Sequence, residues 1–167
     1  SEYERWLTTW FAPPESKPWF ESIFAVCSAN SHYDMSDDPL KRGALQPFVD
    51  RMMKYIGVCD CVHLFGWAAS RKYGDWGDYT DYDGTVGGLD YFRGNIQRTQ
   101  GSGIAVSLYL DAYLNSSKGR QTGAMAEQWA MKRPDGSPQF VEQYQAYNEC
   151  PYLAPWREHI AGAFGQV

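Results

Sequence analysis

Residues 104–111 read IAVSLYLD (Ile104 to Asp111), a run of β-branched, apolar and aromatic residues closed by a carboxylate. Such a run fits a buried strand better than a helix, because it is short and Gly101 and Gly103 punctuate its entry. Working back from it, Leu89, Phe92 and Ile96 recur at helical spacing and predict a helix that those glycines end. Val58 to Phe65 (VCDCVHLF) reads as an earlier strand, closed by Gly66 and Trp67. Before it, Leu45, Phe48, Val49, Met52 and Ile56 mark one face of a helix, with Pro47 at its start and Gly57 at its end. Ile23 to Cys27 (IFAVC) is the first candidate strand. Residues 1–22 carry Pro13, Pro14 and Pro18, and their fixed φ angles predict an extended lead-in.

Working forward, a helix is expected around Gly123 to Met131, then a Pro-Asp-Gly-Ser-Pro turn at 134–138 and an irregular stretch to Pro155. Trp156, Ile160 and Phe164 mark a last helix face. Strands alternating with helix-length crossovers are the pattern of parallel βαβ units. The expected fold is therefore α/β, about three βα units with parallel strands, at the spacing of a partial (β/α)8 (TIM-type) barrel. Residues 1–167 read as a single domain. The doubly wound alternative loses support because no G-x-G-x-x-G turn follows the first strand, where IFAVCSANSHYD stands. A complete barrel takes roughly 250 residues, and this chain has 167.

Composition narrows the function. The net charge is −5 with a sequence pI near 5.1, so no basic surface exists to neutralise nucleic-acid phosphates. No apolar run approaches the ~20 residues that span a bilayer, which leads to the expectation of a soluble protein without a membrane partner. Aromatic residues make up 16%, including 7 Trp and 12 Tyr, rings that suit a cleft that stacks on ligands and equally a packed core. Cys59, Cys61 and His63 alternate along the second strand. A metal site there competes with buried strand residues, and the latter is the reading adopted, with no metal or cofactor expected.

Active sites of parallel barrels gather at the C-terminal ends of strands, which makes Asp111 the best catalytic candidate. Its expected role is to bind a substrate hydroxyl; a turn or cap is the structural alternative. Trp67 directly follows the second strand and could stack on a pyranose ring or pack in the core. Tyr109 is expected to fill the barrel interior. Asp75, Trp76 and Asp78 lie in the Gly-, Asp- and Tyr-rich stretch 68–87 and could contact sugar hydroxyls, or else form local Asp turns. His32 and Asp34, with Asn30, follow the first strand, and Trp129 completes the candidate set.

Several short motifs carry a resemblance: Gly66-Trp67, GLDYF at 88–92, GIAVSLYLD at 103–111, and Cys150-Pro151 followed by Trp156-Arg157. In their order and spacing the chain resembles glycoside-hydrolase-like (β/α)8 barrels related to alpha-galactosidase-type enzymes, from about Tyr3 to the end. The resemblance implies that the Cys-Pro to Trp-Arg segment leads through a helix into a strand bearing a catalytic carboxylate, and Val167 precedes any such strand. The function then expected is a share of a sugar-binding cleft for glycosidic bond hydrolysis, without the full catalytic pair. The rival expectation is a non-catalytic carbohydrate-binding or self-associating partial barrel. The partners expected are a carbohydrate and either a second copy of the chain or the remaining part of the barrel.

Overall fold

The computed structural model describes residues 2, 5, 6, 9, 15–30, 38–67, 76–80 and 82–167. Three strands, β1 (Val26–Asn30), β2 (Cys61–Phe65) and β3 (Ala105–Leu108), form a parallel sheet in the order β1-β2-β3. The register runs Val26 to Cys61 to Ala105 and Ser28 to His63 to Ser107. Helical crossovers join the strands, so the α/β reading holds. The sheet is open, with β1 and β3 as its edges among the described residues. No helix of the described residues is long and apolar enough to cross a membrane.

The lead-in is not wholly extended. Pro18–Glu21 forms a single helical turn, α1, started by a proline whose missing N–H costs nothing at that position. β1 begins three residues later than its sequence pattern suggests. The Asp60 carboxylate accepts the N–H groups of Phe24 (3.0 Å) and Ala25 (2.9 Å), so these donors are satisfied by a side chain before the ladder begins. Phe24 consequently points outward and is 92% exposed.

Two crossover helices follow their patterns closely. After a short helix α2 (Pro39–Gly43), helix α3 (Gln46–Tyr55) buries Phe48 and Val49 and is ended by Gly57 at φ 83°, whose N–H reaches the Met53 carbonyl at 3.1 Å. That left-handed conformation is nearly free only for glycine. A further short helix, α4 (Tyr82–Val86), precedes α5 (Leu89–Gly101), which buries Phe92, Asn95, Ile96 and Thr99. These helices cover one sheet face, where Cys27, Ala29, Val62 and Leu64 join Phe48, Phe92 and Trp67 in one core. Full burial of each large apolar side chain there contributes about 1.5–3 kcal/mol.

The region after β3 departs most from expectation. In place of an irregular stretch, β4 (Leu114–Asn115), β5 (Phe140–Val141) and β6 (Ala146–Asn148) form an antiparallel sheet in the order β4-β6-β5. The Pro-Asp-Gly-Ser-Pro turn lies between the bridged residues Lys132 and Pro138, and Asp135 Oδ1 accepts the Ser137 N–H at 2.9 Å. The helix expected over 123–131 shrinks to a 3-10 turn at Gly123–Met125 and α6 (Ala126–Trp129), because Ala130 turns extended to bridge Glu149. The last helix, α7 (Ala154–Gly165), buries Trp156, Ile160 and Ala163 against the common core.

Candidate functional site

At the C-terminal end of β3 the main chain is gripped by three buried aromatic side chains. The Trp67 indole N–H donates to the Tyr109 carbonyl at 2.6 Å, and the Trp156 indole N–H to the Ala112 carbonyl at 2.9 Å. Between them the Tyr79 hydroxyl accepts the Asp111 N–H at 2.6 Å and donates to the Asp111 carbonyl at 3.3 Å. Tyr79 holds this position at φ 46°, an uncommon conformation for a residue with a side chain. Asp111 is thus fixed by neighbours brought together from three distant parts of the sequence.

The Asp111 side chain makes its own turn. Oδ1 accepts the N–H groups of Tyr113 (2.9 Å) and Leu114 (3.2 Å), and Oδ2 receives a long hydrogen bond of 3.4 Å from the Tyr109 hydroxyl. The structural alternative for Asp111 is therefore realised, with Oδ2 the less committed oxygen. Tyr109 lies beside Phe65 on the sheet face away from the helices. It is 36% exposed and stacks on Phe65 with ring centroids 4.6 Å apart. Burial, then the adjacent Asp111 carboxylate and more weakly Tyr144, push its phenol above the usual value. Tyr144 in turn meets Trp76 edge to face at 5.8 Å. Phe65, Tyr109 and Asp111 thus form one contiguous group at the ends of β2 and β3, with the Trp76–Tyr144 pair near enough for Tyr144 to act on Tyr109.

Trp76 is half-buried, and its indole N–H has no hydrogen-bond partner among the described residues. Gly77, at φ 84°, lets this segment pass close to β4, since a Cβ there would collide with the Leu114 carbonyl. Three other candidates take structural positions. Trp67 is 1% exposed and sandwiched among Tyr79, Tyr82 and Phe92, so neither of its faces is free to stack on a sugar. Asp78 is buried, with Oδ2 accepting the Arg120 N–H at 2.6 Å and Oδ1 the Gln121 N–H at 3.0 Å, and it anchors a turn instead of facing solvent. Trp129 packs on Trp156 at 6.4 Å at the margin of the core. His32, Asp34 and Asp75 lie outside the described residues.

Cys59 and Cys61 are buried thiols. Burial first, and then the neighbouring Cys27, push Cys59 up to about 12 and raise Cys61 as well, which keeps both protonated and poor as metal ligands. Among the described residues no group of three or more His, Cys, Asp or Glu side chains is placed to hold a metal ion. His63 instead shares a 3.0 Å hydrogen bond with Ser107 across the register and meets Phe65 edge to face.

Sequence patterns gave no sign of Tyr144 or Glu149. Tyr144 belongs to the turn between β5 and β6, strands too short to show a period. Glu149 follows β6, fully buried, and burial pushes its carboxyl up to about 7. The Tyr109 and Phe65 pair was accessible to sequence reasoning, because both close their strands at one face of the sheet.

No family model matches this sequence, and no curated protein matches it. The fold does have solved relatives in shape. An alpha-galactosidase from Lactobacillus brevis superposes with a TM-score of 0.58 over 89% of this chain, at 14% sequence identity. The chain spans 19% of that protein's length. At such identity the likeness is one of fold alone.

Proposed function

We propose that this chain is one arc of a (β/α)8 barrel and the first part of a single glycosidase-like domain, contributing a wall of a sugar-binding cleft for glycosidic bond hydrolysis. The observation that carries this reading is the Asp111 carboxylate beside the partly exposed Tyr109–Phe65 stack at the C-terminal ends of parallel strands, the end where such folds bind substrate. The fold likeness to an alpha-galactosidase supports the same direction. Tyr109 offers an apolar ring for the C–H face of a pyranose, and Asp111 Oδ2 accepts a sugar hydroxyl. His32, Asp34 and Asp75 complete the proposed polar lining. Glycoside hydrolysis needs two carboxyl groups across the bond, and Asp111 is the one this reading assigns.

Calorimetric titration with galactosides and other small glycosides tests the reading. Tyr109→Ala and Asp111→Ala are each expected to weaken binding about tenfold, the loss of one stacking or charged hydrogen-bond contact. Unchanged affinity in both variants rejects this wall as a sugar site. The open edge of β3 favours a second reading, a non-catalytic carbohydrate-binding module that self-associates through its unpaired backbone groups. Light scattering separates the two: a dimer that persists when the chain is extended toward a full barrel supports the module, and a dimer lost on extension supports the barrel arc.

A further inference from the structure

Glu149 stands apart from every other carboxylate described. It is 0% exposed, and neither Oε1 nor Oε2 has a hydrogen-bond partner among the described residues. Beside it the Asn115 amide nitrogen is also buried and unpartnered, while Asn115 Oδ1 accepts the Thr122 hydroxyl at 2.8 Å. A buried polar group without partners is costly, and an ionised one far more so. Burial raises the Glu149 carboxyl, opposed more weakly by the Asn115 dipole and the Lys132 charge.

The backbone at this point ties three segments together. The Glu149 N–H donates to the Tyr113 carbonyl at 2.7 Å, the Cys150 N–H donates to the Trp129 carbonyl at 3.1 Å, and Glu149 bridges Ala130. Around the carboxyl, Lys132 on the bridged segment is the one charge that acts on it. Asn115 and Thr122 are neutral, Cys150 adjoins it in sequence, and Asp111 on the preceding turn has its oxygens directed to Tyr113, Leu114 and Tyr109. No base or cation described here hydrogen-bonds to the Glu149 oxygens, so Asn115 and Lys132 offset only part of the cost of ionisation inside the seam.

We propose that Glu149 is a proton-operated latch between the antiparallel sheet and the end of β3. As a neutral acid it seats in the dry seam beside Asn115. When its proton passes to solvent, the carboxylate draws in water and loosens the Glu149–Tyr113 and Cys150–Trp129 tethers. The turn that carries Asp111 then gains freedom as the pH rises. This device is independent of any sugar reading, because it concerns the seam alone.

Its test needs no glycan. Tryptophan fluorescence and amide exchange at Glu149 and Cys150 are followed from pH 5 to 9 on the 167-residue chain, with exchange corrected for its intrinsic pH dependence. The wild type is expected to show a transition centred near 7. Protection of the two amides is expected to fall by at most about a few hundredfold, the ratio implied by moving a carboxyl from 4.5 to about 7. Glu149→Gln, which keeps the shape and cannot ionise, is expected to remove the transition. A flat wild-type profile overturns the latch, and so does an unchanged transition in E149Q, which would assign it to another group. Carboxyl carbon NMR on the wild type decides the matter even if E149Q does not fold: a glutamate titrating near neutrality supports the latch, and glutamates all titrating at about 4.3 overturn it.

Discussion

The two faces of the parallel sheet are built to different standards. On one, Cys27, Ala29, Val62 and Leu64 are buried under α3 and α5, and the arginine of α2, Arg42, is itself 0% exposed, donating to the Thr85 and Gly84 carbonyls at 2.6 and 2.5 Å. On the other, Val26 is 57% exposed, Ser28 and Ser107 face outward, and His63 and Phe65 are half-buried. Side chains alternate along each strand, so the same fifteen-odd ångströms of backbone serve both faces. The difference teaches that one face is a packed core and the other is left largely to solvent among the described residues.

The sharpest way to break this contrast is to truncate one ring on each face. Phe92→Ala, which empties the covered side, should cost about 3–5 kcal/mol in denaturant unfolding, and Phe65→Ala on the open side about 1 kcal/mol or less. Equal losses would mean that the open face is as tightly packed as the covered one. Next in size, Arg42→Ala should cost about 3 kcal/mol, since it strips buried carbonyls of α4 of charged donors. A loss near zero would show that water replaces the guanidinium there.

The pH dependence of stability sharpens the comparison in the antiparallel sheet. Glu149 has a folded value near 7, raised above its ordinary 4.5. The folded chain therefore binds the proton more tightly, and the stabilisation is complete below about 4.5 and lost as pH rises through about 7. Thermal unfolding should be less favourable at pH 5 than at pH 8 by about 2–3 kcal/mol, with the difference absent in E149Q. Smallest of all, Ser28→Ala and Ser107→Ala should each change stability by no more than about 0.5 kcal/mol, as expected for exposed positions on an uncovered face. A larger loss in Ser107→Ala would reveal that its bond to His63 is a structural one.

The parts of the fold legible in advance were those with a period. Phe48, Val49 and Met52, or Phe92 and Ile96, repeat at helical spacing because one stripe faces the core, and the glycines at 57 and 103 end their helices because positive φ suits them. The antiparallel sheet was not legible: strands of two or three residues carry no period, and Asn115 and Asn148 within them are polar. Among the candidate residues, Asp111 was singled out from its place after β3. For Trp67 and Asp78 the sequence left a ligand contact and a structural place both open, since a tryptophan or aspartate looks the same in sequence whether it faces solvent or grips a carbonyl or an amide.

Local sequence by itself determined where helices and parallel strands form, through hydrophobic period and backbone punctuation. Only the tertiary structure decided burial. The hold on Asp111 by Tyr79, Trp67 and Trp156 and the isolation of Glu149 depend on contacts between residues more than thirty positions apart. Whether a side chain meets water or another chain segment is set by what folds over it, and no window of neighbouring residues contains that information.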